Sequence, residues 1–302
     1  ASKKDLKELA EEGIDTQILY SESVPDGFDE DILKRVYGYD FSLKKVEQID
    51  GVGDYKGSTI WLSQEKSMAQ FKTDSKVDFF VNTYSEWGSI LIVNGHKNEN
   101  YISEIQHVRR RETIAMTPVN SYRALRYLAG MDSLDSSINS VQDNKLKVLN
   151  SIKKITGTTA EPLVASSGLS IQYAIVMGLI HEAQEDCGGK PIKIIVPPNC
   201  YGGTNDQARR VAASVQGVDV VDLPVDSGND MVQSIDRVLD QIAKDDAIPY
   251  IIAEIPTNPR VEVPELIELR SVLSKVRKTK SGEQAVDPVF ILDQTFCPNI
   301  HF

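Results

Sequence analysis

The strongest constraint on the fold of this chain is a regular alternation that begins near residue 158, where short apolar runs take turns with stretches of helical periodicity. The predicted strands are the segments EPLVASSG, IKIIVPP, VDVVDLP, IPYIIAEIP and VFILD. The predicted helices between them span about 169–185, 203–215, 229–243 and 264–277. Strands rich in Val and Ile that alternate with helices indicate βαβ crossovers. The sequence therefore predicts an α/β fold, with a mainly parallel sheet and helices on both of its faces.

The last two predicted helices show the clearest apolar stripes. One stripe comprises Met231, Val232, Ile235, Val238, Leu239 and Ile242. The other comprises Leu266, Leu269, Leu273 and Val276. Apolar side chains at this spacing lie on one helix face and pack against a core. The continuous apolar run at 289–292 predicts a strand that is buried on both faces, with Asp293 at its carboxyl end.

The chain divides by texture into three parts. We predict that residues 1–118 form an N-terminal α+β extension of unknown function and that residues 158–302 form the large α/β domain. The segment between them, 119–157, is predicted to be a linker followed by a lead-in helix. Its linker portion, 131–144, is rich in Ser, Asp and Asn, and the helix that follows covers about 143–156.

The extension carries few signals of chemistry. It has predicted helices near 3–12 and 29–37 and the strand-like runs STIWLS and GSILIVNG. The glycine-rich GVGDYKG at 51–57 follows no clear strand, so a surface turn is favoured over a phosphate loop. The basic cluster at 109–111 is either a phosphate or partner contact or a solvated helix face, and the second interpretation is favoured.

Composition excludes several classes of protein. The net charge of −11 disfavours nonspecific binding to nucleic acid or anionic lipid. No apolar run approaches the roughly 20 residues that span a bilayer, and no signal peptide is recognisable at the start of the chain. Three widely spaced cysteines and four histidines suggest neither a disulfide framework nor a zinc site. We therefore expect a cytoplasmic protein with no metal.

Three short segments lie at predicted strand ends, where open α/β sheets collect their functional residues. ASSGLS at 165–170 is a turn into a helix whose N–H groups suit an anion, although such a turn also makes an ordinary N-cap. PPNCYGGT at 197–204 places Tyr201 between a strand and a helix, as a ligand contact or as an aromatic lid. AEIPTNPR at 253–260 holds Asn258 between two prolines that stiffen the turn.

Asp293 is the fourth such feature. A carboxylate that leaves a buried strand is costly unless a cation or a hydrogen-bond donor meets it. From the residues alone, Asp293 is a metal ligand, a general base or the counter-charge to a protonated ring nitrogen.

In their order and spacing, SSGL, NCYGGT, EIPTNP and LDQTF resemble the Cys/Met-metabolism family of pyridoxal-phosphate enzymes, which includes cystathionine γ-synthase, cystathionine lyases and methionine γ-lyase. The resemblance covers roughly residues 140–302. It implies the large domain of a fold-type I pyridoxal-phosphate-dependent transferase. It also implies β- or γ-elimination or γ-replacement on sulfur amino acids, and homodimers or homotetramers.

The resemblance also implies residue roles. Ser167, Gly168 and Leu169 match the turn whose N–H groups hold the cofactor phosphate. Tyr201 matches the tyrosine that stacks on the pyridine ring and assists acid and base steps. Asn258 matches the asparagine that donates a hydrogen bond to the phenolic oxygen of the ring.

Three further residues complete the implied cofactor site. Glu254 matches the glutamate that opens the E-x-P-T-N-P motif. Asp293 matches the aspartate paired with the pyridinium nitrogen, which keeps the ring an electron sink. Thr295 matches a threonine that supports the same ring. Tyr201 and Asp293 are the catalytic members of this set.

The chain departs from the family pattern at two points. The family's cofactor-bearing lysine would fall beyond Phe302, so we expect the 302 residues to be a fragment that is inactive alone. The family's Tyr-x-Arg element, by which a neighbouring subunit reaches the phosphate, is replaced by SINSVQDN. Tyr122 and Arg123 are adjacent and misplaced for that role. The alternative hypothesis is therefore a non-catalytic scaffold or binding protein with the same fold.

Overall fold

A computed structural model of the protein describes residues 16–24, 28–37, 41–64, 71–84, 87–111, 116–131, 141–225 and 230–298. The chain forms two compact units, Ala1–Ile138 and Asn139–Phe302. Their boundary falls inside the segment predicted to contain the linker. The predicted helix at 3–12 and most of the predicted loop at 131–144 lie outside the described residues. Within the described ranges, every helix is too short or too polar to cross a lipid bilayer.

The first unit contains a five-stranded sheet of order β2-β1-β3-β4-β5. Its strands are β1 (Thr16–Tyr20), β2 (Phe41–Lys45), β3 (Ser58–Gln64), β4 (Phe79–Tyr84) and β5 (Gly88–Val93). Its helices are α1 (Glu30–Tyr37), α2 (Asn100–Arg111) and α3 (Pro118–Leu128), with 3-10 turns at Ile49–Gly51 and His96–Asn98. β1, β2, β3 and β4 are parallel, and β5 pairs antiparallel with β4.

This mixed, mostly parallel sheet corrects the prediction of an α+β extension. The strands predicted at STIWLS and GSILIVNG are present as β3 and β5, but the sequence did not reveal β1, β2 and β4. Strand β2 is mostly polar, and β1 and β4 each combine two or three polar or hydroxyl-bearing residues with a short apolar stretch, so none of the three has a clear apolar run. Apolar side chains pack on both faces of the sheet. One cluster includes Leu19, Trp61 and Phe80, and the other includes Ile18 and Leu62.

The second unit contains a four-stranded, fully parallel sheet of order β7-β6-β8-β9. Its strands are β6 (Ile192–Val196), β7 (Val218–Asp222), β8 (Ile248–Glu254) and β9 (Val289–Asp293). Its helices are α4 (Val141–Thr156), α5 (Gly168–Asp186), α6 (Gly202–Ser214), α7 (Met231–Lys244) and α8 (Leu266–Leu273). Every residue of β8 is buried, as expected of an inner strand covered on both faces. The α/β prediction is confirmed at this level.

Three predicted elements of this unit are corrected by the structure. EPLVASSG is not a strand: Leu163 is 76% exposed. Its apolar run is only two residues long, and Pro162 offers no N–H to a sheet. The last helix ends at Leu273 rather than near 277, which leaves Val276 outside the helix and 65% exposed. Strand β9 is not buried on both faces, because none of its five residues is fully buried and Val289 is 37% exposed.

Candidate functional site

The predicted site residues gather at one edge of the second sheet. Strands β6, β8 and β9 run parallel, so their carboxyl ends reach the same edge. Glu254 ends β8, Asp293 ends β9, and their Cα atoms are register partners. Tyr201 follows β6 and directly precedes α6. The sequence motifs are therefore brought together by the parallel topology.

Glu254 is the centre of this arrangement. Its side chain is buried, with the residue 7% exposed, and its two oxygens accept from two different loops. Oε1 accepts from the backbone N–H of Tyr201 at 2.7 Å, and Oε2 accepts from the backbone N–H of Asn258 at 3.1 Å. The carboxylate thus fixes the loop after β6 against the loop after β8.

The electrostatics of Glu254 are set by burial. Burial raises the pKa of Glu254, and the charge of Asp293 adds to the rise, whereas the bonds from Tyr201 and Asn258 oppose it. Among the described residues, neither Glu254 nor Asp293 has a Lys, Arg or His within salt-bridge distance. Two neighbouring carboxylates without a cation make this edge electronegative.

Tyr201 packs across the start of α6. Its residue is 50% exposed, and its ring lies against Gly203 together with the side chain of Leu169. A Cβ at position 203 would lie 2.5 Å from Cε1 of Tyr201 and 2.9 Å from Cδ1 of Leu169. Only glycine fits there without displacing a neighbour, so the second glycine of YGGT lets both the ring of Tyr201 and the side chain of Leu169 lie against the start of α6.

The turn into α5 carries the small residues of ASSGLS. Ser167 is the N-cap, and its Oγ accepts from the backbone N–H of Ser170 at 3.1 Å. The hydroxyl of Ser166 lies 3.0 Å from that of Ser170. The first turn of this 19-residue helix lies against the start of α6, because Leu169 approaches Gly203, so its positive end lies beside the loop after β6. Gly168 is exposed at this start.

The loop after β8 is closed by its own hydrogen bonds. Thr257 donates its N–H to the carbonyl of Glu262 at 2.9 Å, and its Oγ1 accepts from the N–H of Glu262 at 3.0 Å. Val261 has φ of 59°, a left-handed conformation that is unfavourable for a β-branched residue. The loop therefore presents Asn258 from a fixed backbone, half-buried beside Glu254.

Asp293 is tied to the residue two positions later. Its Oδ1 accepts from the N–H of Thr295 at 2.9 Å and from the Oγ1 of Thr295 at 2.6 Å. The described residues supply no donor to its other oxygen, Oδ2. Asp293 thus has one fixed and one available oxygen, and the two hydrogen bonds from Thr295 orient its carboxylate.

Sequence reasoning missed a set of buried polar side chains next to this edge: Gln172 on α5, and Thr204 and Gln207 on α6. Their positions within otherwise amphipathic helices were the available signal. It also left out Cys200, whose thiol pKa is raised to about 11 by burial and by the charge of Glu254. That thiol stays neutral at physiological pH and is a poor nucleophile.

Other candidate residues lie outside this cluster. Tyr122 and Arg123 belong to α3, in the first unit. Within the described ranges, His, Cys, Asp and Glu side chains do not assemble into a group able to hold a metal ion. The three cysteines are free thiols.

Comparison with known proteins adds no relative: no protein-family model, curated protein or solved structure matches the chain.

Proposed function

We propose that the second unit binds pyridoxal 5'-phosphate. We further propose that this unit, in a polypeptide that also supplies a cofactor-bearing lysine, acts as a pyridoxal-phosphate-dependent enzyme of sulfur amino-acid metabolism, catalysing elimination or replacement at the β or γ carbon. The observation that carries the proposal is the meeting of Tyr201, Asn258 and Asp293 around the buried carboxylate of Glu254, at the carboxyl edge of a parallel sheet. The sequence resemblance gives this cluster its chemical meaning.

The residues present fit the three chemical features of the cofactor. The start of α5, with Ser167, Gly168 and Leu169, offers N–H groups and hydroxyls to the phosphate. The half-exposed ring of Tyr201 offers an aromatic surface to the pyridine ring. The carboxylate of Asp293 offers the available oxygen Oδ2 to a protonated ring nitrogen.

Each residue then has a defined task. When bound, the cofactor draws electrons from the α-carbon of an amino-acid substrate, provided its ring nitrogen keeps its proton. Asp293 holds that proton, and Thr295 fixes the orientation of the carboxylate. Glu254 fixes the backbone from which Tyr201 and Asn258 reach the ring. The uncompensated charge of Glu254 and Asp293 favours a cationic ring over a neutral one.

Catalysis requires an additional residue. The lysine that carries the cofactor in the resembling family has no counterpart in the expected context within the 302 residues. The proposal for turnover therefore concerns a polypeptide that includes such a lysine, whereas the proposal for binding concerns the described site.

Binding is tested by titrating the purified protein with pyridoxal phosphate and following the absorbance of the cofactor. We expect saturable binding that inorganic phosphate competes with. We expect Asp293→Asn to weaken it about tenfold, since one charge-assisted hydrogen bond is lost. Asp287→Asn is the matched control, because Asp287 is exposed beyond the opposite end of β9. Absence of saturable binding, or equal behaviour of the two variants, refutes the proposal.

The competing candidate is a non-catalytic scaffold with the same fold. The absence of the Tyr-x-Arg element from SINSVQDN favours it. Asp293→Ala in a polypeptide that includes the cofactor-bearing lysine separates the two candidates. In an enzyme it abolishes release of keto acid from cystathionine or homoserine esters while the fold persists. In a scaffold, wild type and variant are equally inactive.

A further inference from the structure

A buried polar network joins α5 to α6 directly behind the proposed cofactor site. Its members are Gln172, Thr204 and Gln207, which are 8%, 1% and 1% exposed. Buried amides and hydroxyls are costly unless they are hydrogen-bonded. Each of these side chains makes such a bond, and each bond crosses from one helix to the other.

The bonds form a continuous chain. Oγ1 of Thr204 donates to Oε1 of Gln172 at 3.2 Å, and Nε2 of Gln172 donates to Oε1 of Gln207 at 3.0 Å. Nε2 of Gln207 then donates to the backbone carbonyl of Leu169 at 3.0 Å. Because Leu169 lies in the first turn of α5, this series of hydrogen bonds ends at the turn that carries the proposed phosphate contacts.

The same turn is held from a second side. Leu169 packs on Gly203, and so does the ring of Tyr201. The first turn of α6 thus lies against both the first turn of α5 and the ring of Tyr201. A directional network fixes the relative position of two helices more strictly than apolar packing does, because apolar contacts tolerate sliding and hydrogen bonds do not.

We propose that Gln207, supported by Gln172 and Thr204, is a positioning residue that holds the first turn of α5 where the cofactor phosphate binds. This inference rests on the proposed function. Its consequence is selectivity: the network supports the binding of the phosphate group and contributes little to the binding of the ring. Loss of the network weakens the binding of pyridoxal phosphate. It leaves the binding of pyridoxal, which lacks the phosphate, almost unaffected.

The test compares dissociation constants for pyridoxal phosphate and for pyridoxal in four variants. Gln207→Leu removes the bond to Leu169, and Thr204→Val removes the first donor with little change of shape. Thr204→Ser keeps the hydroxyl and should restore wild-type affinity. Tyr250→Phe is the matched control, because Tyr250 donates its hydroxyl to the carbonyl of Leu179 at 2.8 Å, later in the same helix.

We expect Gln207→Leu and Thr204→Val to raise the dissociation constant of pyridoxal phosphate about tenfold and that of pyridoxal less than about twofold. Tyr250→Phe should change neither. Equal weakening of both ligands, or the same selectivity loss in Tyr250→Phe, overturns the inference, since either result marks a general structural role. Thr204→Val keeps the test valid if Gln207→Leu does not fold.

Hydrogen exchange without ligand tests whether the network holds the first turn of α5, with no cofactor present. The peptide at 166–173 should exchange faster in Gln207→Leu than in wild type, while the peptide around Leu179 should not. Unchanged exchange at 166–173 overturns the inference. Wild-type protein that binds no pyridoxal phosphate overturns the proposed function instead, so the two failures are distinguishable.

Discussion

Glu254 illustrates how a single buried carboxylate can organise a site. It accepts N–H groups from the loops after β6 and β8, and no cation among the described residues neutralises it. The two N–H bonds partly offset the free-energy cost of burying this charge, but the net effect is still a raised pKa of Glu254. Glu254 is therefore costly to keep, which is typical of a residue retained for geometry rather than for stability.

We predict a characteristic pH dependence for Glu254→Gln. A raised pKa means that the folded protein binds the proton more tightly than the unfolded chain. The contribution of Glu254 to the free energy of unfolding is thus complete below about pH 4.5, its ordinary pKa, and declines as pH rises through the folded value. Urea unfolding across this range should show wild-type stability falling relative to the variant as pH increases.

The same substitution also removes one hydrogen-bond acceptor. In glutamine an NH₂ group replaces one of the two accepting oxygens and faces a backbone N–H. Glu254→Gln should therefore lower the free energy of unfolding by about 1–3 kcal/mol near neutral pH. Glu262→Gln, on the exposed part of the same loop, should be nearly neutral. If the free energy of unfolding of wild type instead rises relative to that of Glu254→Gln as pH increases, folding lowers the pKa of Glu254 and the prediction is wrong.

Gly203 provides a second prediction for a single residue. Replacing an exposed helical glycine by alanine normally stabilises a helix by about 1 kcal/mol, and Gly178 on α5, with open space around it, should follow that rule. At Gly203 the new Cβ meets Tyr201 and Leu169. We therefore expect Gly203→Ala to lower the free energy of unfolding by about 1 kcal/mol in chemical denaturation. Equal stabilisation by both substitutions would contradict the observed packing.

At the scale of elements, Arg277 explains why α8 ends early. Its guanidinium is 7% exposed and donates to the carbonyls of Val272 and Lys275, which terminates the helix. It also donates to the carboxylates of Asp236 and Asp240 on α7. The chain after Leu273 turns back to make these contacts, so the predicted extension of the helix to 277 is replaced by a cap.

We predict that Arg277→Met lowers the free energy of unfolding by about 1–3 kcal/mol. The loss is smaller than for a fully buried ion pair, because Asp236 and Asp240 are 35% and 43% exposed and Lys275 still pairs with them. Lys280→Met is the control, since Lys280 is 71% exposed where it pairs with Asp245. Thermal unfolding checks both, and a neutral Arg277→Met would refute the cap.

The elements that could be predicted from the sequence are those whose periodicity is strong. Helix α7 keeps its apolar stripe on the core, and inner strand β8 reads as a continuous apolar run. The errors came from tertiary context. Edge strand β9 has the same composition as an inner strand, and the position of a strand in the sheet is not encoded locally. Gln172 and Gln207 escaped notice because their partners lie on different helices.

For the candidate site, the motifs predicted the residues and the topology explains their meeting. YGGT and E-x-P-T-N-P each follow a parallel strand that ends at the same edge of the sheet, whereas SSGL follows no strand among the described residues and is placed there by Leu169, which lies against Gly203. The hydrogen bonds of Glu254 to Tyr201 and Asn258 could not be predicted, because they depend on the paths of two loops. Sequence patterns thus identified the members of the cluster without its internal connections.

At the scale of the whole molecule, each unit has its own sheet. Each sheet contains strands from only one unit, and the boundary between the units lies between Ile138 and Asn139. We predict that a protease site inserted at this point can be cleaved without unfolding either part. The piece from 139 onward should keep a cooperative unfolding transition by circular dichroism. Loss of that transition after cleavage would show that the second unit depends on the first.

We propose that Asp293 keeps a proton on the ring nitrogen of bound pyridoxal phosphate. Nitrogen-15 labelling of that ring atom reports its protonation directly by NMR. We predict a protonated ring nitrogen near neutral pH in the wild-type complex and in Asp287→Asn, and an unprotonated one in Asp293→Asn. The same ring-nitrogen chemical shift in wild type and Asp293→Asn would show that Asp293 does not hold this proton.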